Sequence, residues 1–179
     1  AWTPFLSWSP EGRLLYFIEH RTTTGEEKDE TSPHFDISAL TPAGVSLTVI
    51  TDSGMFSYPS PSPLFVETGE EEGYSIAYLQ AIFPEQSQSS HCRLYLADRD
   101  GSNKRLLFPA EDLPGLEPQK IFWSPKPIYG KMSQNESQVN TLSYALAVVY
   151  QGDIWLIEAE TGKAHQITAD GLISKLDWK

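Results

Sequence analysis

One cysteine, Cys92, is all the chain has among 179 residues, so no intrachain disulfide can hold it together. That alone neither fixes a cytosolic home nor excludes the periplasm. Basic residues are also scarce, 13 against 24 acidic, for a net charge of −11. A phosphate backbone is bound largely through Lys and Arg, so nucleic acid is excluded as a partner, and an anionic membrane surface is disfavoured for the same reason. No apolar run approaches the ~18 residues of a membrane helix, so no membrane insertion is expected. The opening "AWTPFLSW" lacks the charged and apolar regions of a signal peptide.

What is present is aromatic and turn-rich. Phe, Trp and Tyr make up 12% of the chain, and with 13 Pro and 12 Gly they indicate many short strands broken by turns. The length suffices for one domain with a substantial core. Tyr144 to Gly171, "YALAVVYQGDIWLIEAETGKAHQITADG", shows the layout most clearly. Strands at 144–150, 154–157 and 165–168 are separated by turns at Gln151-Gly152-Asp153 and Glu160-Thr161-Gly162-Lys163. "HCRLYLADRDGSNKRLLFP" (91–109) repeats this, with strands at 93–97 and 105–108 around the turn Asp100-Gly101-Ser102-Asn103. "HFDISALTPAGVSLTVITDSG" (34–54) repeats it again around Thr41-Pro42-Ala43-Gly44, and "ITDSG" at 50–54 matches "ITADG" at 167–171.

Trp8, Trp123 and Trp178 lock the phase, with Tyr58 in their place in the second unit, at spacings of 50, 65 and 55 residues. Four strands per unit at such a period mark a β-propeller blade. Trp-Ser-Pro should end each innermost strand, because Pro cannot donate to the ladder. The expected fold is all-β, with four-stranded antiparallel blades at about 5–55, 56–118 and 120–172 and residues 173–179 as the first strand of another. The near-continuous apolar runs "YALAVVY" and "IWLI" suit strands buried on both faces.

"GDIWLIEAETGKAHQITADG…LDW" (152–178), "SWSPEGRLLYF" (7–17) and "LADRDGSNKRLLF" (96–108) resemble the WD-like propeller repeats of TolB-type proteins. Similar repeats form the N-terminal propellers of the prolyl oligopeptidase and dipeptidyl peptidase families and the propellers of tricorn-type proteases. Glu11 stands where TolB-like units carry Asp after Trp-Ser-Pro, Lys126-Pro127 replaces the following pair in the third unit, and the second unit has no Trp. The resemblance implies a non-catalytic module that binds a protein or peptide, with a periplasmic or extracellular location. The alternative it implies is a gating propeller of a prolyl-oligopeptidase-like serine peptidase whose hydrolase domain lies elsewhere. No family binding residue carries over, so the binding residues are unassigned.

No constellation for catalysis, metal or cofactor emerges. "DRDGSN" (98–103) hints at a calcium loop but lacks the later Glu, and reads as a hairpin turn with Gly101 at positive φ and Asp100 or Asn103 capping the bend. His91-Cys92 has no partner at zinc spacing, and His20, His34 and His165 are scattered. Gly73-Tyr74-Ser75-Ile76-Ala77 is one residue off a nucleophile elbow and leads into a strand, so Ser75 is expected to be an ordinary strand residue. "TGEEKDET" (24–31) and "ETGEEEG" (67–73), including Glu70, Glu71 and Glu72, read as solvated loops on opposite faces of the disc. Asn135-Glu136-Ser137 fits a glycosylation sequon. Three blades leave two apolar blade faces uncovered. A longer parent chain would cover them, as the uncapped end favours, or a homodimer would complete the ring.

Overall fold

The computed structural model describes residues 5–22, 32–65, 73–129 and 142–178. The strands are β1 (Leu6–Trp8), β2 (Leu15–His20), β3 (Phe35–Leu40), β4 (Ser46–Ile50), β5 (Ser60–Pro61), β6 (Ser75–Ala81), β7 (Cys92–Asp98) and β8 (Arg105–Phe108). They continue with β9 (Phe122–Trp123), β10 (Ile128–Tyr129), β11 (Leu142–Ser143), β12 (Ala145–Tyr150), β13 (Asp153–Glu158) and β14 (Ala164–Gln166). Three antiparallel four-stranded sheets result: β1-β2-β3-β4, β5-β6-β7-β8 and β9-β12-β13-β14, with β10-β11 a two-stranded ribbon inserted in the third. The only helical element among the described residues is a 3-10 turn at Pro84–Gln86. The chain is thus all-β, and none of the sheets closes on itself.

Local chemistry sets the turns. Gln151 and Gly152 both have positive φ, 53° and 82°, between the paired residues Tyr150 and Asp153, the two-residue geometry that matches strand twist. At the end of the third sheet the last strand is shorter than the sequence suggests. Thr168 Oγ1, not a backbone carbonyl, takes the Ile154 N–H at 3.0 Å, so the ladder stops at Gln166.

The sheets stack through the middle one, and strand alternation divides its side chains. Ile76, Tyr78, Tyr95 and Ala97 face the first sheet, where they meet Tyr16, Ile37, Ala39 and Ile50. Ala77, Leu79, Leu94 and Leu96 face the third, against Leu146, Val148 and Ile157. The segment after β8 adds Leu116 and Ile121 to this second core, and an isolated bridge joins Leu116 to Cys92. Burying one such aliphatic side chain is worth about 1.5–3 kcal/mol, which makes these two seams the main source of cohesion.

The same clamp follows the first strand of every four-stranded sheet. Ser9 N donates to Leu14 O, Ser62 N to Ser75 O and Ser124 N to Ala145 O. The serine hydroxyl then accepts the N–H of Leu14, Ser75 or Ala145 in return. All three serines are buried, and each is followed by a proline. The structural constant of the repeat is therefore Ser-Pro, and the assignment of Tyr58 to the tryptophan place is corrected. Pro61 holds that place in the second sheet, three residues further on, and Tyr58 lies before β5 at φ 45°.

The sequence places the first strand of a further blade at 173–179. The described residues after β14 carry no strand pairing, and the backbone there is anchored by Ile173 N donating to Gly152 O. An inner strand needs the second strand of its own sheet as ladder partner, and the described residues supply none.

Candidate functional site

A second device recurs where each third strand begins. Asp36 Oδ1 accepts the N–H of Asp52, just past β4. Asp153 Oδ1 accepts from Thr168 Oγ1 and from the N–H of Gly171, just past β14. Arg93 occupies the corresponding place on β7 with the polarity reversed. Its guanidinium donates to the carbonyls of Pro109, Ala110, Glu111 and Leu113. Each side chain latches the segment that leaves the last strand of its sheet. Acceptors capture N–H groups, and the cation captures carbonyls.

This latch builds a cleft at one end of the middle sheet. Gln80 pairs with Arg93 in register, one step beyond the Tyr78–Tyr95 pair covered by the first sheet. Gln80 Nε2 reaches across to Asp52 O at 2.7 Å. Beside the Gln80–Arg93 pair opens a cleft of about 430 Å³ lined by Gln80, Ala81, Ile82, Pro84, Arg93, Tyr95 and Glu111. Phe83, 63% exposed, stands between two lining residues, and Leu113, 45% exposed, ends the latched segment. Ion-paired neighbours continue the polar surface. Arg21 Nε and Nη2 bind Asp36 Oδ2 at 2.8 Å and Asp52 Oδ1 at 2.6 Å, and His34 Nδ1 also meets Asp52 Oδ1, at 2.9 Å. Among the described residues no serine or cysteine hydrogen-bonds the other His34 ring nitrogen.

The residues singled out in the sequence fall elsewhere. Asp98–Asn103 forms the β7–β8 hairpin turn, with Gly101 at φ 83°. Its carboxylates are engaged internally: Asp98 Oδ2 accepts from Asn103 Nδ2, and Asp100 Oδ1 from the Ser102 N–H and hydroxyl. Those Ser102 bonds hold the Asp100 carboxyl below its usual range. His91 and Cys92 diverge. His91 lies 2.9 Å from Glu117 on the surface, while Cys92 is buried and its thiol is pushed up to about 12 by that burial. Ser75 opens β6 and serves the Ser62 clamp. His20 stacks on Phe35, and His165 lies 2.9 Å from Glu158. Among the described residues no three His, Cys, Asp or Glu side chains gather as a metal site. No described helix is long and apolar enough to cross a membrane. The acidic stretches 24–31 and 67–72 and the sequon at 135–137 lie outside the described residues.

Sequence reasoning missed the latch and therefore the cleft. The signal was the shared Asp-Ile at 36–37 and 153–154, each preceding one of the "ITDSG" and "ITADG" segments. Arg93 hid the third instance by inverting the charge. No family model, curated protein or solved structure matches the chain.

Proposed function

We propose that the three sheets are successive blades of a β-propeller and that the chain is a non-catalytic module binding a protein or peptide through loops on one face. The carrying observation is the cleft beside Gln80 and Arg93. In a meander the β2–β3 and β6–β7 connections, and the segments after β4 and β8, emerge at the same end of their sheets. The cleft is lined from two of these, Ile82 and Pro84 after β6 and Glu111 after β8, and a third is tied to it by the bond from Gln80 to Asp52 O after β4. A groove of mixed polar and apolar lining with exposed Phe83 and Leu113 alongside suits an extended peptide with an apolar anchor.

Selection of a random displayed peptide library on the folded chain tests this. The expected result is enriched peptides whose affinity falls at least about tenfold on Phe83→Asp or Glu111→Lys, the scale of a binding hot spot. Both side chains are exposed, so the melting temperature should not move. No enrichment, or peptides that bind both variants as well as the parent, would overturn the reading.

A further inference from the structure

We infer that the outward face of the first sheet docks on the outward face of the third sheet of a second copy, head to tail, with the Trp8 indole N–H donating to the partner's inner strand at the Phe122 carbonyl. The inference rests on the propeller reading but is independent of what the cleft binds.

The argument is the repetition of one seam. Counted back from the buried clamp serines, Ser7 and Ser60 hold the same place, and so do Pro59 and Ile121. Ser7 Oγ donates to Pro59 O at 2.6 Å across the first seam, and Ser60 Oγ to Ile121 O at 3.4 Å across the second. Each sheet thus meets the next with its inner strand in the same relative position. A second bond runs backward across the second seam: Trp123 Nε1 donates to Ser60 O at 2.8 Å. Pro61, the matching residue of the second sheet, has no such donor, so the first seam lacks that bond.

The chain carries both halves of a further seam. Trp8 holds the Trp123 place in the first sheet, pairs with Leu15 and turns away from the middle sheet. It is 62% exposed, and its indole N–H makes no hydrogen bond to a described residue. Leu6, 55% exposed, and half-buried Phe17 and Leu40 share its face. Phe122 holds the Ser60 place in the third sheet, on the face opposite Leu146 and Val148. Half-buried Val149, Ile154 and Leu156 share that side. Apolar side chains thus face outward at both ends of the stack, with a donor at one end in the register of an acceptor at the other. A contact between unlike faces closes only at particular copy numbers. Two copies give six sheets, within the usual ~4–8 of a closed ring, and three copies overshoot it.

Sedimentation of the full chain across the micromolar range tests the inference, with Trp8→Lys and Leu156→Glu as variants. The expected result is a wild-type species of twice the 20.0 kDa chain mass. Each variant alone should sediment as a monomer with unchanged circular dichroism. An equimolar mixture should recover the two-copy species, because one seam is then intact and the other pairs Lys with Glu. A wild-type monomer overturns the inference even if both variants misfold. So do variants that stay dimeric, an open-ended polymer, or a mixture that fails to recover. Peptide binding at the cleft, measured on the same samples, reports separately on the functional reading.

Discussion

At the scale of single residues the clamp serines and one glycine carry the sharpest expectations. Ser124→Ala removes the acceptor of the Ala145 N–H inside a buried site. It should cost about 1–3 kcal/mol, the penalty of stranding a buried donor, measured by denaturant unfolding. Ser62→Ala should cost a similar amount, because its hydroxyl does the same for Ser75. The conservative test of the corrected register is Tyr58→Phe, which touches no clamp bond and should cost less than either. Gly101 separates two effects that positive φ usually mixes. A Cβ there would sit 2.0 Å from Val49 O, in the first sheet, whereas one at Gly44 (φ 80°) meets nothing within 4 Å. Gly44→Ala should therefore lose only about 1 kcal/mol of backbone strain. Gly101→Ala must also push the β7–β8 turn off the neighbouring sheet, and its melting temperature should fall well below that of Gly44→Ala.

Within an element, the third strand of each sheet fastens the segment beyond the fourth. Asp153→Ala frees Thr168, Gln166 and the Gly171 N–H together. The expected outcome is faster hydrogen exchange at 167–173 with β12 and β13 unchanged, as for a locally opening unit. Arg93→Ala should do the same to 109–113 and widen the cleft. The strands themselves were legible in the sequence because turn chemistry and β-branched or aromatic runs act locally. Arg105–Phe108 forms as read, and the glycine turns fall where expected. The all-β content and the four-stranded repeat followed from that regularity. The first strand of the second sheet was misplaced because three alternating prolines at 59, 61 and 63 offer three registers, and a tryptophan cannot mark the right one where none exists. The cleft was illegible for a different reason. It depends on a latch whose charge inverts between repeats, and on Gln80 reaching Asp52 twenty-eight residues away, which no local pattern encodes.

For the molecule as a whole, cohesion depends on keeping the two seams neutral, and this fixes its response to alkali. Burial raises the pKa of Tyr16, Tyr74 and Tyr78 at the first seam, with the Tyr16–Tyr74 hydroxyl bond raising Tyr16 further, and that of Cys92 and Tyr150 at the second, so all five resist ionisation. A group whose folded value lies above its unfolded one contributes stability in full below the unfolded value and loses it as pH rises. The unfolded chain releases its protons first. Stability should thus hold through neutral pH and decline from the ordinary thiol value of 9.0 upward, steepening past the phenol value of 10.0. Thermal melts of the parent and of Cys92→Ala across this range check it, and the variant's decline should begin about one pH unit later. Leu79→Ala, in the second seam, should cost about 2–5 kcal/mol at every pH below that decline, as cavities in packed cores do. The middle sheet differs from its neighbours in a way that reaches beyond stability. Of the three sheets of one copy it is the one with another sheet packed on each face, so neither parity of position along β6 and β7 is free to drift. Over generations it should accept the fewest substitutions. In a saturation-mutagenesis library selected for folding of the single chain, below the concentration at which copies associate, the period-two tolerance of an ordinary sheet should show in β2 and β13 and vanish in β6.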